Sequence, residues 1–315
     1  MNESTHNLDR SGADRDAPLP LPASFGQRML FALSGGERPT SSLKRSREIA
    51  RQLSTDLHVV QVLAELPSMS SGFPQARAAQ ALASLEDNLA AIHATPRWLG
   101  HVLGGDLSQD KFAVYTGAFV EKVVDHAALV DASLIVLAER KRRFGTMVTM
   151  LSRASGLPVL VLRDASSEPS ILAATDLEDA RLPVLRRAAD FGERFHVRVV
   201  AFHNLTPSSS TPSAPIPNGL ESVLRKLRLS WASRELHLAG ETIASESSPA
   251  DAIVRTAHAN NVDLVVVGAR AVSRLGRFSL NNIAVDVVDR ARSSVLVIPL
   301  ERAVAPGTDA NRDCA

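Results

Sequence analysis

Two arginine-rich stretches are the parts of this sequence best suited to chemistry. Arg140-Lys141-Arg142-Arg143 follows one apolar run, and Arg270, Arg274 and Arg277 follow another. A guanidinium can grip a phosphate through two parallel hydrogen bonds, so both stretches are candidate anion ligands, with a solvated basic loop as the plain alternative. Phe144 and Phe278 stand beside them, too few aromatics to stack nucleic-acid bases. Asp176, at the end of a third apolar run, is either a ligand or the N-cap of the next helix. The nine histidines are scattered without the close spacing of zinc ligands, and His203 is expected as a buried, hydrogen-bonded strand residue. No serine stands on a nucleophile elbow. The residues therefore point to anion binding, with no catalytic and no metal-ligating residue assigned.

Such groups need a framework, and hydrophobic patterning supplies one. Short, mostly apolar runs at 29–33, 58–63, 98–103, 133–138 and 158–162 read as strands, and the continuous run 29–33 suits a strand buried on both faces, since strands covered by helices lose the polar alternation. Between them, helical patterns cover 41–53, 74–94, 117–129 and 145–154. Strand and helix alternate, which calls for an α/β fold with a parallel sheet wound on both faces.

The same order then begins again. Residues 171–176 repeat the first strand, and Leu182, Leu185 and Ala189 line one face of a helix whose first turn holds Pro183. A strand at 197–203, a Ser- and Pro-rich loop at 206–217, a helix at 219–232 and a strand at 235–239 follow. Ser248-Pro249-Ala250-Asp251 is a helix start: a capping hydroxyl, proline at the first helical position, and a carboxylate able to reach back. Strands at 263–268 and 294–299 match 132–138 and 158–162.

Length and composition agree with two such units. The 315 residues exceed one ordinary core, and 45% hydrophobic residues with only 4% aromatic predict aliphatic packing. Expected boundaries are a flexible arm at 1–24, a first domain at 25–163, a second at 169–301 and a flexible tail at 302–315, with Arg163 to Pro169 as a short polar linker between the domains. A net charge of +1 creates no field toward nucleic acid or membrane, and Cys314 is the only cysteine. The polar N-terminus offers no signal-peptide core, so a cytoplasmic protein is expected.

Thr175-Asp176 after the first strand of the second half, His203, Asp263-Leu264-Val265-Val266-Val267-Gly268-Ala269-Arg270 and Ser293-Ser294-Val295-Leu296-Val297-Ile298-Pro299 together resemble the universal stress protein family. The likeness covers about 170–299 and, more weakly, 27–162. It implies two tandem five-stranded parallel domains of the adenine nucleotide alpha-hydrolase-like type, and a stress-response or regulatory binding protein rather than an enzyme. Nucleotide-binding members hold phosphates on the pattern Gly, two residues, Gly, nine residues, Gly, then Ser or Thr. In the second domain those positions are Gly268, Ala271, Asn281 and Asn282, so one glycine of three is kept. In the first domain Gly145-Thr146 matches the final pair, but Ala138 and Lys141 stand at the earlier glycines. Asp176 matches the carboxylate that contacts the nucleoside, where the first domain has Ser34.

The resemblance thus implies a partly degenerate ATP or other adenine-nucleotide pocket in the second domain, built on Asp176, Gly268, Arg270, Asn281 and Asn282, with Gly145 and Thr146 as the remnant in the first. It also implies pairing of the two domains through their last strands, 159–162 against 295–298. Such pairing covers two apolar edges, whereas one continuous sheet through both halves is expected to contradict the two-unit reading. Association into a homodimer stays open. Two other readings are kept: a protein-interaction scaffold with decayed pockets, and an ATP pyrophosphatase-type enzyme, whose phosphate loop Ser34-Gly35-Gly36 resembles in part.

Overall fold

The computed structural model describes residues 26–65, 74–105, 111–139, 144–163, 169–177, 181–205, 219–230, 237–244, 247–270 and 283–300. The first repeat runs β1 (Arg28–Ser34), α1 (Thr40–Leu53), β2 (Asp56–Leu63), α2 (Pro74–Val102), β3 (Phe112–Thr116), α3 (Phe119–Leu129), β4 (Ala132–Ala138), α4 (Gly145–Ser155) and β5 (Val159–Leu162). The second runs β6 (Ser170–Ala174), α5 (Pro183–Phe195), β7 (Arg198–Leu205), α6 (Gly219–Ser230), β8 (Leu238–Ala244), α7 (Pro249–Ala259), β9 (Leu264–Arg270), α8 (Ile283–Arg290) and β10 (Ser294–Leu300).

Hydrogen bonding orders the strands β3-β2-β1-β4-β5-β10-β9-β6-β7-β8. Every pairing within a repeat is parallel, and β5 meets β10 antiparallel through Val159↔Val297, Leu160↔Leu296 and Val161↔Val295. The sheet is therefore continuous across both halves. Contrary to the expectation above, continuity does not contradict two units: one edge pairing joins two intact five-stranded units, and it satisfies backbone groups that an open edge would leave exposed.

Side chains alternate between two helical layers, as the strand period of two requires. Met29, Phe31 and Leu33 pack toward α1, α2, α5 and α6, while Leu30 and Ala32 face the side of α3, α4, α7 and α8. Buried Val, Leu and Ile on both faces account for the unbroken apolar runs. Local signals end the helices: Gly156, with φ +67°, closes α4, and Ser248 caps α7 by accepting from the Asp251 N–H.

Two sequence expectations are corrected. Residues 98–103 do not form a strand, because α2 runs through Pro96 to Val102 and the third strand is β3. Leu99 and Leu103 are buried one turn apart, and the Trp98 indole donates to Thr40 Oγ1 at 3.0 Å; this packing outweighs the lost proline hydrogen bond. The third strand of the second half, expected at 235–239, is β8 at Leu238–Ala244. A Cβ on its Gly240 would lie 2.4 Å from Leu224 Cδ1, so the glycine admits α6 against the strand.

Candidate functional site

In each repeat the strand order reverses between the first and fourth strands, at β1/β4 and β6/β9. Crevices outside the carboxyl ends of such strands are where doubly wound sheets bind ligands. In the second repeat this point gathers Asp176, just past β6, and Arg270, the last residue of β9. The Arg270 guanidinium donates to Asp176 Oδ2 across the crevice, and both side chains are about half exposed, at 52% and 49%. Behind Asp176 the chain is held by local bonds. The Thr175 N–H donates to the Phe202 carbonyl, the Leu177 N–H to Thr175 Oγ1, and the His203 imidazole Nδ1 lies 2.8 Å from the Thr175 carbonyl. His203 is buried, as its strand position predicts. Asp176 is not a helix N-cap, because α5 begins only at Pro183 with Leu182 as its cap.

Gly268 lies inside β9, as the expected strand at 263–268 has it, and pairs with Ile298 of β10. A Cβ on it would come within 2.5 Å of Leu300 Cδ1, so the space its missing side chain leaves is taken by a neighbouring leucine. Asn281 and Asn282 lie outside the described residues, as do Arg274, Arg277 and Arg140 to Arg143.

Register ties the two repeats together. Met29 stands opposite Leu134 and Ile171 opposite Leu264. Counting five residues on (29 + 5 and 171 + 5) sets Ser34 in the place of Asp176; counting four on (134 + 4 and 264 + 4) sets Ala138 in that of Gly268. The first crevice therefore lacks the carboxylate. Its Ser34-Gly35-Gly36 segment is a strand-ending turn: Gly35 has φ +55°, its N–H donates to the Val62 carbonyl at 2.8 Å, and its carbonyl accepts from Gln61 Nε2 at 2.6 Å. Gly35 and Gly36 line a cleft of about 360 Å³ with Arg38 and with Asp87 and Asn88 of α2.

Gly145 and Thr146 open α4, where a helix N-terminus would favour an anion. An anion is already there. Asp289 of α8 accepts from the backbone N–H groups of Phe144 at 2.9 Å and Gly145 at 2.8 Å, with the same oxygen, Oδ1. A Cβ on Gly145 would sit 2.4 Å from the Val285 carbonyl oxygen, so this glycine lets the α4 and α8 backbones cross in contact. Thr146 is exposed, and its carbonyl accepts from Thr149 Oγ1.

Sequence reasoning missed the residues that hold the repeats to each other. Arg163 reads as the start of a polar linker but is only 7% exposed, and it donates to the Ser293 and Val288 carbonyls and to Glu139. Arg45 of α1 pairs with Asp263 at 2.5 Å and donates to the Arg163 carbonyl at 2.6 Å. No local pattern marks Asp289, Arg163 or Arg45, because the partners that join one repeat to the other lie more than 100 residues away. Among the described residues no group of three or more His, Cys, Asp or Glu could hold a metal ion, and no helix is long and apolar enough to cross a membrane.

The model of the universal stress protein family matches this chain twice, at residues 26–163 and 169–299. The chain belongs to the universal stress protein family. Solved relatives share the tandem architecture. A universal stress protein from Archaeoglobus fulgidus is 14% identical with a TM-score of 0.58, over 86% of this chain and 96% of that one. A putative universal stress protein from Pseudomonas aeruginosa is 19% identical with a TM-score of 0.53, over 87% and 93%. A comparison with curated protein sequences finds no match. At these identities the solved structures speak for the fold, two tandem universal stress protein units on a mostly parallel sheet.

Proposed function

We propose that this universal stress protein is a cytoplasmic stress-response regulator that binds an adenine nucleotide, ATP first among candidates, between β6 and β9 and does not turn it over. The observation that carries the reading is the Asp176–Arg270 pair spanning the switch point of the second repeat. A half-exposed ion pair is worth little by itself, roughly 0 to 1 kcal/mol. A ligand can therefore open it cheaply, leaving the carboxylate for nucleoside hydroxyls and the guanidinium for phosphate. The first repeat offers no such pair, since Ser34 replaces the carboxylate and Asp289 occupies the α4 amides. Cys314 as the only thiol fits a reducing compartment.

Isothermal titration of the full chain with ATP tests this. Heat of binding is expected in the wild type, with affinity about tenfold weaker in Asp176→Asn, a change of ~1.4 kcal/mol, and no ADP or pyrophosphate released. Heats equal to buffer dilution at millimolar ATP would remove nucleotide from the account. They would favour the second reading, a protein-interaction scaffold, which is supported by the use of Gly145 and Gly268 for packing.

A further inference from the structure

On the α1 and α5 side of the sheet, the seam between the repeats holds a cavity of about 160 Å³ that the nucleotide reading leaves unused. Its walls come from both repeats: Ile49 of α1 with Leu160 and Leu162 of β5, against Ile171 of β6, Leu264 of β9 and Phe191 of α5. All six are 7% exposed or less. Phe195, which also lines the cavity, stacks on Phe191 with ring centroids 5.4 Å apart. The space has a structural origin. On the opposite face α4 and α8 cross in backbone contact over the same seam, whereas α1 and α5 touch only lightly.

We propose that this cavity binds a small, uncharged aromatic molecule of one or two rings. Size supports it, since an apolar cavity of about 150 Å³ is large enough to hold a benzene. Position supports it as well, because ligand sites favour domain interfaces with apolar walls and few polar groups. Charge selects the class. At the rim Arg45 is bonded to Asp263, and Glu48 to Arg51, so the ionic groups there are already matched and give an ion no advantage. Residues 164–168, which join the repeats beside Pro169, read Asp-Ala-Ser-Ser-Glu and carry no large apolar side chain to fill the space.

The test titrates indole into the full chain carrying carbon-13-labelled Ile, Leu and Val methyl groups. Methyl signals of Ile49, Ile171, Leu160, Leu162 and Leu264 are expected to shift together and to saturate in the high-micromolar to millimolar range, as befits a ligand of this size. Ile171→Phe fills the cavity and should weaken binding by at least about tenfold. Val197→Phe, on the half-exposed wall, does the same should the first variant misfold. Methyl signals unmoved at millimolar indole overturn the proposal, and so does undiminished binding in the filled variants. Tighter binding of the anion indole-3-acetate overturns the assignment to uncharged ligands. Because the readout is confined to the seam, its failure leaves the nucleotide titration untouched.

Discussion

Replacing Gly145 with alanine separates the two roles open to that residue. If it served only to admit a phosphate at the start of α4, a methyl group would relieve backbone entropy and raise stability by up to ~1 kcal/mol, the ordinary gain of Ala over Gly in a helix. The fold argues the reverse. The new Cβ would lie 2.4 Å from the Val285 carbonyl oxygen and 3.0 Å from Val285 C and Cα, where ordinary contacts begin at 3.4 Å. Those are backbone atoms of α8, so a rotamer change cannot clear them and the helices must separate by about an ångström. Overpacking of this kind costs about 1 to 3 kcal/mol. The separation also stretches both hydrogen bonds to Asp289, a charged cap worth roughly 0.5 to 2 kcal/mol. Allowing for the propensity gain of up to ~1 kcal/mol, the net loss is about 0.5 to 4 kcal/mol, centred near 2, or roughly 4 to 8 °C in melting temperature for that central value at ~2 to 4 °C per kcal/mol. Scanning calorimetry of wild type, Gly145→Ala, Asp289→Ala and the double variant reads this directly. The two losses should be less than additive, because both act through one crossing. A melting temperature that is unchanged or raised in Gly145→Ala refutes the argument.

Other contacts make further measurable claims. Arg163→Ala strips donors from the buried Ser293 and Val288 carbonyls and should cost about 3 kcal/mol, splitting the calorimetric transition as the repeats uncouple; a single unshifted transition would contradict it. Burial, reinforced by the nearby His58, holds the His126 imidazole below its usual pKa. The unfolded chain therefore takes up the proton first, and this stability is complete above about pH 6.5 and lost as pH falls below it. His126→Gln should flatten the melting temperature between about pH 6.5 and 5, and an unchanged slope counts against it. The Ser248 hydroxyl, followed by Arg290, holds Asp251 below the usual carboxylate range, so that contribution is present above about pH 3.9 and fades as pH falls further. Ser248→Ala should remove a cap worth ~1 kcal/mol at neutral pH and reduce the acid sensitivity of α7, followed by amide exchange of its first turn.

Elements whose signal is local were legible from the chain alone. The runs at β4, β9 and β10, the Ser248 cap and the burial of His203 each follow from neighbours a few residues away, where side-chain period and capping chemistry act. Pro96 misled because proline is a local breaker, while the packing of Leu99 and Leu103 that keeps α2 helical comes from other elements. Gly268 of β9 misled similarly: it reads as a glycine kept for a phosphate until Leu300 of β10 is seen lying against it.

The amino-acid order by itself determined that one layered unit occurs twice, that its strands are buried on both faces, and that Asp176 and Arg270 lie near the carboxyl ends of two of those strands. Only the tertiary structure decided that these two residues face each other, that Asp289 takes the amides at the head of α4, and that Arg163 is a buried clamp rather than a linker residue. The division has a physical cause: periodicity and caps act over a turn or a strand, whereas an ion pair or a helix crossing depends on which distant segments the sheet order brings side by side.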